Sequence, residues 1–130
     1  MIDLKNKINR LKFKYKHWKQ RREQGWDDTA TYELDNHQMK MINEKYRRYL
    51  ELAESFIDLN YYTFDILGKE MTQKEVVQRI IDLSQIYLDK YSNYFIDIED
   101  GRIATLIKER DALLDELFIC LRKVFLYMWW

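Results

Sequence analysis

Few residues in this sequence belong to the types that perform catalysis or bind metals. The chain has two histidines, His17 and His37, and a single cysteine, Cys120. Glu33 precedes His37 by four residues, so both would lie on one helix face, but two ligands do not complete a metal site. Cys120 lies in an apolar run, where a small buried side chain is more common than a reactive thiol. We therefore expect no metal site, an exposed or hydrogen-bonded His37 and a buried Cys120.

The motifs of the common enzyme classes do not occur. The sequence has no phosphate-binding glycine loop, no dinucleotide glycine pattern, no nucleophile elbow and no Cys-His spacing for covalent catalysis. One cluster of carboxylates could in principle hold a divalent ion: Asp27, Asp28, Glu33 and Asp35. Helix capping by Asp27 or Asp28 and burial of Asp35 explain that cluster more simply. We predict a protein that is not an enzyme and uses no cofactor.

The composition favours helices. Of the 130 residues, 47% are hydrophobic and 15% aromatic, whereas proline is absent and glycine occurs only three times. Compact β folds need more turn residues than this. We predict an all-α fold in which residues 1–130 form one helical domain, a bundle of four main helices with the second and fourth the longest.

Charge is distributed unevenly although the net charge is zero. Residues 1–24 hold nine Lys and Arg against two carboxylates, a net charge of +7, so residues 25–130 carry −7. The sequence thus predicts a basic N-terminal helix on an acidic body. No run of about twenty apolar residues and no signal-peptide pattern occurs, so we expect a cytoplasmic protein that does not enter a membrane.

The first predicted helix runs from about Leu4 to Glu23 and is amphipathic. Its apolar residues recur at steps of three and four, which places them in one line along a helix. This apolar stripe consists of Leu4, Ile8, Leu11, Tyr15 and Trp18. Gly25 follows, a residue suited to a left-handed helix cap.

Three further helices are predicted by the same periodicity. The second extends over residues 28–56, the third begins with the capping box Thr72-Gln-Lys-Glu75 and ends near Lys90, and the fourth extends over residues 103–128. The expected core positions of the second are Asp28, Tyr32, Asp35, Met39, Ile42, Tyr46, Tyr49, Ala53 and Phe56. Those of the third are Val76, Val77, Ile80, Ile81, Ser84, Tyr87, Leu88 and Tyr91. Those of the fourth are Ile103, Ile107, Arg110, Leu114, Leu117, Leu121, Val124 and Met128.

Residues 58–71 and 94–101 lose this period, so we interpret them as connections. The first could include a short helical turn, and Asp100-Gly101 is a turn signal. Asp35 and Arg110 are the ionisable residues within the seams of the second and fourth helices. A buried carboxylate and guanidinium satisfy each other by a two-pronged hydrogen bond, so these residues could form a buried pair. The alternative is that each charge reaches solvent where its seam splays.

Two surfaces are candidates for binding. The first is the basic helix, whose cationic and aromatic residues could contact nucleic-acid phosphates and bases, an anionic membrane or a groove of a partner protein. Its candidate residues are Lys5, Lys12, Lys14, Tyr15, Lys16, Trp18, Lys19, Arg21 and Arg22. Equally, the apolar stripe could pack on the chain's own body and leave the lysines as a solvated rim.

The second surface is the aromatic stretch over residues 125–130. Its candidate interface residues are Tyr127, Trp129 and Trp130. So many aromatic side chains should be docked, either on the chain itself or at a subunit interface.

A patchy resemblance covers residues 24–130. The stretch Gln24-Gly-Trp-Asp-Asp-Thr-Ala-Thr-Tyr-Glu-Leu-Asp35 resembles a set of small proteins of unassigned function from bacteriophages and related mobile elements. The matching positions are Gly25, Trp26, Asp28, Tyr32, Leu34 and Asp35. Residues 71–75, and Gly101 with residues 125–129, look similar to later parts of the same pattern. Tyr32 replaces the usual Trp, and residues 1–23 have no counterpart. The resemblance implies a phage origin and a host-directed or virion-associated role, without a reaction or cofactor, and it implies a structural importance for Asp35.

The function expected from these observations is that of a phage accessory protein that binds a host protein or nucleoprotein, as an inhibitor of bacterial defence would, in the manner of an anti-CRISPR protein. The alternative is a small virion or DNA-handling protein whose basic helix contacts nucleic acid directly. A weaker alternative is a structural homo-oligomer, such as a homodimer, joined through its long seams.

Overall fold

The structure, a computed structural model, describes residues 2–92 and 100–129. The chain divides into two compact units, Met1–His37 and Gln38–Trp130. The described part contains helices α1 (Ile2–Gln24), α2 (Leu34–Ala53), α3 (Gln73–Lys90) and α4 (Asp100–Val124), and strands β1 (Thr63–Ile66) and β2 (Lys69–Thr72). Short 3-10 turns occupy Asp28–Thr31 and Phe125–Tyr127. The predicted helical character is confirmed, but a small antiparallel sheet accompanies it. A bundle that includes all four helices stays a prediction.

The first unit is built on α1 and the turn that follows it. α1 ends where predicted, because Gly25 adopts a left-handed φ of 87° and its N–H donates to the Arg21 carbonyl at 2.9 Å. The expected continuous helix over 28–56 is wrong. Asp27 caps a 3-10 turn, Glu33 has a φ of 48°, and α2 begins only at Leu34. α2 therefore has 20 residues and is shorter than α1, which has 23.

The core of the second unit lies mainly between α3 and α4. Val76, Ile80, Leu117 and Val124 are completely buried there, and Met39 contributes from α2. Arg79 donates two hydrogen bonds to Glu116, at 3.1 and 2.8 Å, and these join α3 to α4. The burial of apolar side chains such as Ile80 and Leu117 is the main source of stability in a domain of this size.

A buried amide joins α2 to α3. Asn43 Nδ2 donates to the Ile81 carbonyl at 3.1 Å and to the Ser84 hydroxyl at 3.0 Å, while its Oδ1 accepts from Arg47. These bonds satisfy a polar group that would be costly to bury alone. Asn43 was not among the predicted core positions.

The third helix is as predicted. The Thr72 hydroxyl accepts from the Glu75 N–H at 3.2 Å, and the Glu75 carboxylate accepts from the Thr72 N–H at 3.1 Å, which completes the capping box. α3 ends at Lys90, and its expected core positions are buried or half-buried.

Two predicted connections differ from the structure. Residues 63–72 form a β-hairpin with Thr63 opposite Thr72 and Ile66 opposite Lys69. Asp100 and Gly101 belong to α4, so the predicted turn there is wrong. The rest of the predicted connection 94–101, apart from these two residues, lies outside the described residues.

The buried face of α4 includes the predicted Leu117 and Val124 but departs from the predicted seam by one residue at two other positions. Leu113 and Cys120 are buried, whereas Leu114 and Leu121 are half-buried and pack at the edge of the core. Ile107 is exposed at 36%. The predicted burial of Cys120 is confirmed.

Candidate functional site

The apolar stripe of α1 is exposed. The exposed fraction of these five side chains ranges from 44% at Ile8 to 66% at Leu11. An exposed row of this length is unusual, because soluble proteins generally bury the apolar face of an amphipathic helix. The stripe thus has the geometry of a contact surface.

Aromatic contacts organise the second half of α1. Tyr15 and Trp18 stack with ring centroids 5.9 Å apart, and the Arg22 guanidinium lies 5.4 Å from the Trp18 ring centroid. Phe13 and His17 meet edge to face at 3.9 Å. His17 is buried, whereas His37 is exposed as predicted.

The loop after α1 folds back onto the helix through two carboxylates. Asp27 accepts from the Thr29 N–H at 2.8 Å and also contacts the Thr29 hydroxyl and Arg21. The Thr29 hydroxyl bond, opposed by burial and reinforced by Arg21, lowers the pKa of the Asp27 carboxyl to about 2. The sequence allowed either Asp27 or Asp28 to be the capping residue. In the structure Asp27 caps the 3-10 turn.

Asp28 makes a separate set of contacts with α1. Its N–H donates to Gln20 Oε1 at 2.9 Å, and its carboxylate lies 3.1 Å from Lys16 Nζ. The pKa of Asp28 is lowered by hydrogen bonds from Gln20 and Lys16. Capping by one aspartate and ion pairing by the other thus account for both residues.

The predicted basic surface has two parts, one in which the basic side chains form ion pairs and one in which they do not. Near the end of α1, Lys16 and Arg21 pair with Asp28 and Asp27, and Lys19 lies 3.9 Å from Glu23. Along the earlier part of α1, Lys5, Lys12 and Lys14 are exposed and form no ion pair within the described residues. Uncompensated positive charge therefore flanks Leu4, Ile8 and Leu11, and the Arg22 guanidinium beside Trp18 also forms no ion pair within the described residues.

In the second unit, the C-terminal aromatic segment is anchored by hydrogen bonds to its backbone. Gln73 Nε2 donates to the Tyr127 carbonyl at 2.9 Å, and the Tyr49 hydroxyl donates to the Trp129 carbonyl at 3.3 Å. Burial raises the pKa of Tyr49 above its usual value. The Tyr127 ring also meets Tyr62 at 4.9 Å.

The candidate interface residues of this segment differ in exposure. Tyr127 is half-buried and docked on its own unit, whereas the Trp129 side chain is 61% exposed. Trp130 lies outside the described residues. Sequence reasoning did not identify Tyr49 and Gln73 as anchors, because Tyr49 was counted as a core position and Gln73 as an interior residue of the capping box.

The proposed pair of Asp35 and Arg110 is not fully buried. Both residues are half-buried, and the Arg110 guanidinium donates to the neighbouring Asp111 at 3.1 Å. They belong to different units. Asp35 lies in the first turn of α2, where its charge favours the helix dipole. Their pairing stays a prediction.

Metal binding and membrane insertion find no support in the described part of the chain. Residues 2–92 and 100–129 contain no group of three or more histidine, cysteine or acidic residues placed to hold a metal ion. Within the same ranges, every helix is too short or too polar to cross a membrane.

Comparison of the chain with protein-family models, with curated proteins and with solved structures yields no match. The resemblance to small phage proteins therefore stays a prediction based on residues 24–35 and the two later stretches.

Proposed function

We propose that the protein is a non-enzymatic binding protein that inserts α1 into an apolar groove with an acidic rim on a host protein or nucleoprotein. The single observation that carries this proposal is the exposure of the whole apolar stripe, from Leu4 to Trp18. Amphipathic helices bind partner grooves through residues at this spacing.

The position of the unpaired charge specifies the rim of the groove. Lys5, Lys12 and Lys14 carry charges that no acidic residue of the described chain neutralises, and they lie beside the two exposed leucines of the stripe. Acidic residues on the partner would complement them, which raises the association rate and fixes the orientation of the helix. The stripe would supply most of the affinity, since each fully buried leucine is worth about 1.5–3 kcal/mol.

The apolar stripe favours a protein groove over naked nucleic acid. The side chains of Leu4, Ile8 and Leu11 have no charge or hydrogen-bond donor for phosphates. Tyr15 and Trp18 stack on each other and not on a base. Direct nucleic-acid binding remains the second candidate function, because the unpaired lysines would also suit phosphates.

The resemblance to small phage proteins limits the class of partner that we propose. Within this proposal the protein acts in the cytoplasm of a bacterial host and inhibits a defence nucleoprotein by occupying a docking surface, in the manner of an anti-CRISPR protein. The stripe supports the binding mode, and the resemblance alone supports the choice of host target.

The test is affinity capture from bacterial lysate, with and without nuclease, followed by titration of the purified partner. We expect a nuclease-resistant protein partner whose affinity falls at least about tenfold for each of Leu4→Ser and Leu11→Ser. Phe118→Ser is the matched control, because Phe118 is similarly exposed but lies on α4. Equal losses in all three variants would contradict the proposal.

Charge variants separate the remaining alternatives. Lys12→Glu with Lys14→Glu should slow association with a protein partner, whereas Lys108→Glu with Lys123→Glu on α4 should not. Retention of nucleic acid alone, with a steep loss of affinity as salt rises, would replace the proposal by the DNA-handling function. Retention of nothing but a second copy of the chain would replace it by a structural homo-oligomer.

A further inference from the structure

The second unit contains a cavity that the proposed function does not use. Its volume is about 210 Å³. Four aromatic side chains line the cavity: Tyr61, Tyr62, Tyr127 and Trp129. The polar residues of its lining include the carboxylate of Asp58 and the amide of Gln73. No basic side chain occurs among the described residues that line it. The lining therefore combines aromatic rings with a single negative charge.

The rings face in different directions. The Tyr61 and Tyr62 rings are 4.9 Å apart at an interplanar angle of 87°, and the Tyr62 and Tyr127 rings are 4.9 Å apart at 56°. The ring pairs are therefore inclined contacts and not flat stacks. Because the face of an aromatic ring is electrically negative, a positive group that enters the cavity is attracted to each ring face that it reaches.

Hydrogen bonds hold the backbone of Tyr127 and Trp129 at this cavity. Gln73 is 2% exposed and holds the Tyr127 carbonyl, and its Nε2 also donates to the Tyr49 hydroxyl at 3.3 Å, which in turn holds the Trp129 carbonyl. Asp58 Oδ1 accepts from the Asn60 N–H at 2.9 Å, which orients the carboxylate. A site arranged before binding loses less entropy when a ligand enters.

The nearby cation does not neutralise Asp58. Lys74 pairs with Glu54, and no basic residue of the described chain forms an ion pair with Asp58. The negative charge at the cavity is thus available to a ligand.

We propose that this cavity binds an organic cation, with the aromatic rings contacting its apolar surface and Asp58 balancing its charge. The volume suits one trimethylammonium or guanidinium head group and is smaller than the roughly 300–1,000 Å³ of pockets for drug-sized ligands. The cation is either a free small molecule or a basic side chain of a bound peptide. The site belongs to the second unit and does not depend on the stripe of α1.

The experiment titrates the full-length protein with choline, with Nα-acetyl-arginine amide and with 3,3-dimethylbutan-1-ol, a neutral isostere of choline. Calorimetry gives the affinities, and nuclear magnetic resonance locates binding through the Trp129 indole and Tyr127 amide signals. We expect at least one cation to bind about tenfold more tightly than the isostere. Preference for choline would identify a free quaternary ammonium ligand, and preference for the arginine derivative would identify a peptide side chain.

Matched variants locate the interaction. Trp129→Leu and Asp58→Asn should each weaken cation binding about tenfold, and both retain the backbone hydrogen bonds that position the segment. Phe125→Leu and Asp65→Asn are the controls, because both residues are exposed and lie outside the cavity. The proposal is overturned if neither cation binds at millimolar concentration, if the isostere binds as tightly as the cations, or if the controls weaken binding as much as the two cavity variants.

Discussion

At the turn after α1, a single carboxylate side chain caps the backbone. Asp27 accepts from Thr29, pairs with Arg21 and caps the 3-10 turn after α1, so one side chain begins that turn and ties it to the helix before it. Its lowered pKa reflects those bonds to the charged carboxylate. Because the pKa is lower in the folded chain than in the unfolded chain, these bonds stabilise the loop above about pH 4 and are lost as pH falls towards 2.

Cys120 gives a second pH dependence of opposite sign. Burial raises the pKa of its thiol from 9.0 to about 11. The folded state thus keeps a proton that the unfolded state releases, so the free energy of unfolding falls as pH rises from 9 to 11. The loss attributable to this thiol should be of the order of 2 kcal/mol.

We predict that Cys120→Ala reduces this alkaline loss. Below pH 9 the variant should be less stable than the parent by roughly 1 kcal/mol, because the side chain leaves a small void. Between pH 9 and 11 the difference should shrink or reverse. Urea denaturation across that pH range measures the difference in free energy of unfolding between the variant and the parent. The contribution of tyrosine ionisation cancels from this difference because both proteins have the same tyrosines. Parallel pH profiles would show that the thiol does not ionise on unfolding.

Among the secondary structure elements, the hairpin depends most on one glycine. Leu67 and Gly68 join β1 to β2 with φ values of 52° and 85°, as in the two-residue turns that match the twist of a hairpin. Gly101, by contrast, lies in the first turn of α4, and a methyl group added at either glycine would meet nothing within 4 Å. The two sites therefore differ in backbone conformation and not in available space.

We predict opposite effects for alanine at these two positions. Gly68→Ala should lower the free energy of unfolding by about 1–2 kcal/mol, because a side chain disfavours the left-handed conformation. Gly101→Ala should raise it by a few tenths to about 1 kcal/mol, because alanine restricts the unfolded chain and favours helix. Chemical denaturation of both variants provides the comparison. A destabilisation of similar size at both sites would contradict the backbone explanation.

These elements also show what the sequence could and could not predict. The capping box at Thr72 and Glu75 was predictable because its two hydrogen bonds are local. The hairpin was missed because Leu67 is an uncommon residue for a left-handed position, although Phe64 and Ile66 alternate correctly with polar neighbours.

In α4, periodicity alone could not select the buried face. Adjacent apolar residues at 113–114 and at 120–121 allow two seams one residue apart, and packing against α3 selects Leu113 and Cys120. The candidate site was predicted in part for a related reason. Spacing identified the stripe on α1, but the pairing of Lys16 and Arg21 depends on a loop conformation that no periodicity describes.

The chain as a whole combines a well-packed region with a helix that exposes its apolar side. Residues of α3 and α4 such as Ile80 and Leu117 have no exposed surface, whereas Leu4, Leu11 and Tyr15 on α1 are each more than 60% exposed. Amide hydrogen exchange reports the free energy of local opening, which depends on how much buried contact an opening breaks. The two regions should therefore differ strongly in protection.

We predict that the amides of residues 4–15 exchange at least about 100-fold faster than those of residues 76–81, after correction for intrinsic rates. Exchange in the full-length protein, followed by mass spectrometry or nuclear magnetic resonance, measures both ranges at once. Addition of a partner that binds the stripe should slow exchange in 4–15 and leave 76–81 unchanged, because only the first range would gain buried contacts. Equal protection in the free protein would mean that α1 is already covered, and the proposed docking of this helix would then fail together with the prediction.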